Sequence, residues 1–93
     1  MTGPYPLNAL RAFEAVARNR SFALAARELQ VTPSAVGQLV ARLERDLGTE
    51  LFARPRRGPG DLSLTPRAAR ALPDLQEGFA SLSRAVTYLE RGG

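Results

Sequence analysis

The chain has 93 residues, with 13 arginines, no lysine, 9 carboxylates and a formal net charge of +4, and it contains neither cysteine nor histidine. That length allows one small domain with a single modest core. Without Cys or His there is no disulfide framework, thiolate zinc site or Ser-His or Cys-His nucleophile pair, so neither an enzyme nor a bound cofactor or metal is expected.

Position sharpens the charge. Residues 1–60 carry nine arginines against five acids, whereas residues 61–93 carry four against four, so a polyanionic partner is expected at the first two thirds of the chain. Arginine forks suit phosphate and guanine, although a GC-rich genome would explain the missing lysines equally well. No apolar run of signal-peptide or membrane-spanning length is found, which makes a cytoplasmic protein the expectation.

Residues 1–6 (MTGPYP) read as an irregular lead-in. From about Leu7 to Arg18, Leu10, Phe13, Val16 and Ala17 recur at helical spacing and predict a first amphipathic helix. Asn19 and Arg20 interrupt it. Ser21 is the N-cap of a short second helix marked by Phe22, Ala25, Ala26 and Leu29 and ending near Gln30, whose alanines let another helix cross closely.

A third helix starts at Thr32-Pro33, a cap followed by a proline at the first helical position, and stops at Gly48. Val36, Leu39, Val40, Leu43 and Leu47 fall on one face, with Ser34, Gln38, Ala41 and Arg45 roughly opposite and Arg42 at the edge. Taken alone, this stretch fits a surface helix as well as a recognition helix. Preceded at a three-residue link by a short helix, it completes a helix-turn-helix.

Leu51–Arg54 and Leu62–Leu64 read as two short strands around a Pro-, Gly- and Arg-rich turn, forming a wing. Thr65-Pro66 repeats the cap-plus-proline signal and opens a last helix of roughly 25 residues ending near Arg91. Within it Leu72, Leu75, Phe79, Leu82, Val86 and Leu89 make a heptad seam, expected to pair with its copy in a homodimer; the alternative is that the helix folds back onto its own domain. Pro73 is expected to kink this helix, since it loses the bond to the carbonyl of Ala69; the alternative, a break with Pro73 starting a separate helix, would leave Leu72 as a poor cap.

The segment PLNALRAFEAVARNRSFALAARELQVTPSAVGQLVARLERDLGTELFAR resembles the DNA-binding domain of LysR-type transcriptional regulators. The likeness covers about Pro6 to Leu89 and rests on Ala25-Ala26, Leu29, the run Val31 to Val36, Leu43-Glu44, Leu47-Gly48, Leu51-Phe52, Arg54 and Leu64-Thr65. The stretch PLNALRAFEAVAR is similar to the subgroup containing activators of glycine-cleavage and β-lactamase genes. The resemblance implies a mainly α, winged helix-turn-helix domain (residues 1–65) followed by a linker helix (66–93) that dimerises antiparallel. It also implies a bacterial, nucleoid-associated transcriptional regulator that binds an interrupted palindrome of double-stranded DNA. The third helix would enter the major groove, with wing residues 54–62 on the flanking backbone or minor groove.

Thr32, Pro33, Ser34, Ala35 and Gln38 are the base-proximal candidates at the end of the helix that such motifs point at bases. Gln38 can pair bidentately with adenine, and Pro33 and Ala35 can touch a thymine methyl. Ser21 joins them as a cap or phosphate contact, and Arg42, Arg54, Arg56 and Arg57 are assigned to phosphate and minor groove.

Four features depart from the family pattern. Gly37 stands where serine is common and costs about 1 kcal/mol relative to alanine inside a helix. RRGPGDLSLT is longer than the usual wing. Ala69 replaces a glycine. The effector-binding domain is absent from these 93 residues, so no inducer site is expected within them. Two rival readings are a winged-helix protein-interaction module and a nonspecific DNA-binding protein.

Overall fold

Capping chemistry sets where the helices begin and end. The computed structural model describes residues 6–53 and 62–91. Its elements, in order, are α1 (Leu7–Asn19), α2 (Phe22–Leu29), α3 (Pro33–Leu47), β1 (Phe52–Ala53), β2 (Ser63–Leu64) and α4 (Pro66–Arg91). Ser21 Oγ accepts the amide of Leu24 at 3.0 Å and Thr32 Oγ1 accepts that of Ala35 at 3.1 Å, so α2 and α3 both open on a side-chain cap. Thr65 Oγ1 accepts the amide of Ala68 at 3.3 Å and itself donates to the carbonyl of Glu50 at 2.8 Å, which ties the start of α4 to the approach to β1.

Helix ends follow one rule. Gln30 and Gly48 both take left-handed backbone, with φ of 60° and 68°, and the next amide reaches back to an orphan carbonyl: Val31 to Ala26 at 3.0 Å, Thr49 to Glu44 at 3.1 Å. Arg20, at φ 53°, ends α1 in the same conformation. This first helix runs one residue beyond the expected end, through Asn19, whose side-chain amide donates to the carbonyl of Ala15 at 2.8 Å.

The core forms where α1, α2 and α3 cross. Ala12, Ala15, Val16, Ala25, Ala26, Val36 and Val40 make one buried cluster. The fully buried Ala25 and Ala26 remove the bulk that would hold neighbouring helices apart. A second cluster joins Ala9, Phe13, Leu43, Leu51 and Ala68, bringing the wing base and the first turn of α4 onto α1 and α3. Phe52 closes the seam between clusters, with ring centroids 5.6 Å from Phe13, edge-on, and 5.8 Å from Phe22.

β1 and β2 pair antiparallel with Phe52 opposite Leu64 and Ala53 opposite Ser63. Both strands are shorter than expected, at two residues each. The result is a mainly helical winged-helix domain with a long trailing helix.

Two expectations are revised. Leu47, assigned to the packing face of α3, is 41% exposed, because the chain turns away at Gly48 before anything covers the last turn. At Pro73 the helix is not broken, in line with the preference for a kink over a break, and α4 continues for 26 residues. The seam of α4 is divided: Leu72 and Leu75 pack against the second core cluster and Phe79 is half-buried, whereas Leu82, Val86 and Leu89 are exposed. Folding back and facing outward thus describe two halves of one helix.

Candidate nucleic-acid interface

Packing on one side of α3 decides what the other side presents. Val36, Val40 and Leu43 are buried, and the helix therefore turns Ser34, Gln38, Arg42 and Arg45 to solvent, with Ala35 and Ala41 half-buried at the margins. Thr32 and Pro33 are exposed at its N-terminus, and its first turn has no acidic residue. Amides at a helix N-terminus carry partial positive charge and favour an anion. The structure thus brings Thr32, Pro33, Ser34, Ala35, Gln38 and Arg42 onto one accessible surface.

Arg42 is an accessible cation on that surface. Its side chain is 75% exposed and its Nε lies 4.0 Å from Asp46, at the outer limit of an ion pair, so a phosphate can take it at little cost. Ser21 caps α2, a separate helix start whose first turn likewise has no acid. Arg54, Arg56 and Arg57 lie outside the described residues.

Two features escaped the sequence reading. Glu44, on α3, accepts the amide of Leu51 at 2.7 Å and that of Phe52 at 3.4 Å, so the carboxylate clamps the base of the wing to the helix. The only local hint was an acid at the edge of an apolar face. The second is a polar clasp around Arg18. Arg18 donates through Nε to Glu14 at 2.9 Å and through one guanidinium nitrogen to Glu28 at 2.9 Å, while Asn19 donates to Glu28 at 3.1 Å and Gln76 to Glu14 at 3.2 Å.

The clasp joins α1, α2 and α4 and removes Arg18 from the pool of cations open to a ligand. Hydrogen bonds from Arg18 and then Asn19 hold the Glu28 carboxyl down at about 2, below its ordinary 4.5. The same two carboxylates, Glu28 first, raise the pKa of Arg18 further above its usual range. Among the described residues no group of His, Cys, Asp and Glu is placed to hold a metal, and no helix is long and apolar enough to cross a membrane.

Residues 7–69 match the model of the lysR family of bacterial regulatory helix-turn-helix proteins. The chain belongs to that LysR family. It is 47% identical over 96 residues to the HTH-type transcriptional activator AmpR of Providencia stuartii, covering 99% of this chain and 32% of that protein. It is 44% identical over 92 residues to the carbapenem-hydrolyzing beta-lactamase transcriptional activator of Enterobacter cloacae, covering 99% of this chain and 30% of the relative.

The chain thus spans about a third of the length of these LysR relatives. Among solved structures it is similar to the BenM DNA-binding domain in complex with benA site 1 DNA, with a TM-score of 0.81, 25% identity and 94% of each chain covered. The expected family, fold and resemblance to β-lactamase gene activators are all met.

Proposed function

We propose that this domain binds double-stranded DNA in a sequence-specific manner as a homodimer, in the cytoplasm and on the nucleoid. The carrying observation is the surface of α3: an exposed, acid-free helix start followed by Ser34, Gln38 and Arg42 on one side. An α-helix fits the major groove, where base edges differ in donors and acceptors. The likeness to a LysR-type domain solved with DNA supports the same docking.

Ser34 and Gln38 read base edges, and Pro33 and Ala35 lie against thymine methyls. Thr32, Ser21 and Arg42 bind phosphate, with Arg54, Arg56 and Arg57 along the wing. The homodimer forms through the seam of α4, of which Leu82, Val86 and Leu89 are already exposed. Two-fold symmetry in the protein then requires an interrupted palindrome in the DNA.

The test is a gel-shift titration of a site selected from a randomised pool against a scrambled control, over a salt series. A steep salt slope together with a preference for the selected site is expected. In the same assay Gln38→Ala should cost about 1–3 kcal/mol at the selected site and leave scrambled DNA almost unchanged. A slope without preference would mean nonspecific binding. No binding at low salt would point to a protein-interaction module.

A further inference from the structure

Gly37 occupies the middle of α3, where glycine is a poor helix former compared with alanine. Neither of the usual internal reasons for a helical glycine applies to it. Its φ is not positive, Gly48 being the positive-φ glycine of this region. A Cβ built on Gly37 meets no atom within 4 Å among the described residues, so no neighbouring helix needs the space. The fold accepts a weaker helix at this position and, among the described residues, receives no packing in exchange.

Location supplies what packing does not. Gly37 lies one turn beyond Pro33 and Ser34 and next to Gln38, on the flank of α3 that continues through Ala41 toward Glu44. Glu44 holds the amides of Leu51 and Phe52, so this flank is the one turned toward the wing base. Ala41 keeps it low, and Gly37 leaves the backbone bare at the point nearest the helix start.

We propose that Gly37 is a specificity-determining residue: its missing side chain is clearance for the sugar-phosphate wall of the major groove on the wing side. The clearance lets α3 seat deeper than any side chain at this position would allow. Depth matters for discrimination because Ser34 and Gln38 reach base edges only when the helix is fully seated, whereas nonspecific complexes hold the protein through phosphates alone. The proposal rests on the reading of α3 as the DNA-reading helix.

The test uses the 93-residue chain with Gly37→Ala and Gly37→Leu, two better helix formers of increasing size. Thermal melting is measured beside gel-shift affinity for the site selected by the wild-type protein and for scrambled DNA. Both variants should melt higher, by about 4–8 °C for a domain of this size. Affinity for the selected site should fall about tenfold for alanine and further for leucine, comparable to a mismatched base pair, with much less change on scrambled DNA.

Higher melting with unchanged affinity in both variants would overturn the proposal. Lower melting would overturn it too, by showing that the fold itself needs the glycine. A wild-type protein that binds no DNA would instead defeat the underlying reading of α3, and the proposal with it; that result is visible before any variant is compared.

Discussion

The two halves of α4 carry one periodic pattern and meet different surroundings. In the inner half, Ala68 is buried and Leu72 and Leu75 pack onto the cluster built by Phe13, Leu43 and Leu51. In the outer half, Leu82 is 49% exposed, Val86 51% and Leu89 81%. The heptad spacing specifies only that a stripe wants covering. What covers it depends on reach: the domain is a bundle of three short helices, and a helix of 26 residues, about 39 Å long, outruns it.

The strongest way to break this division is to attack the inner half. Leu72→Ala together with Leu75→Ala should lower unfolding free energy by about 3–5 kcal/mol, read from chemical denaturation, and should do so at every protein concentration. A loss that appeared only in concentrated protein would place these leucines in a subunit interface and erase the contrast. Truncation of the outer half should do the reverse. Leu82→Ala with Val86→Ala should leave unfolding of dilute protein within about 0.5 kcal/mol of wild type, while sedimentation shows a shift from dimer to monomer.

The smallest effect concerns the clasp beside the outer half. An open groove lined by Arg18 and Glu28 on one side and by Phe79 and Leu82 on the other separates the clasp from the exposed part of α4. Because the folded state holds the Glu28 carboxyl near 2, the unfolded chain binds more protons between about 2 and 4.5. The stabilisation is complete above about 4.5 and is lost as pH falls toward 2. With both side chains substantially exposed, it amounts to less than about 1 kcal/mol. Glu28→Gln should therefore lower neutral stability by less than about 1 kcal/mol and, with that contribution gone, flatten the acid limb of a stability-against-pH curve in this window.

Local chemistry made most of the fold legible in advance. Ser21, Thr32 and Thr65 sit where a cap has to be, Pro33 and Pro66 where a missing amide is harmless, and Gly48 where the backbone turns left-handed. These signals operate within a few residues and survive whatever the rest of the chain does. The exposed surface at Ser34, Gln38 and Arg42 followed from the same helical spacing that buries Val36, Val40 and Leu43.

Relations between distant residues were not legible. Arg18 and Glu28 meet because α1 and α2 cross, and Glu44 finds the amides of Leu51 and Phe52 because the chain doubles back after Gly48. No pattern in the sequence marks either. Leu47 misled for the opposite reason: its spacing was right, but the helix ends before a neighbour arrives. The wing arginines Arg54, Arg56 and Arg57 fall outside the described residues, so their assignment still rests on sequence.

Glu44 has a further mechanical consequence. Because its carboxylate is bonded to the amides at the root of β1, any rotation of α3 must carry that strand with it. Helix α3 and the wing base behave as the two jaws of a caliper locked at one opening. The entropy of setting that opening is lost once, at folding, and is not charged again each time a ligand is measured between the jaws.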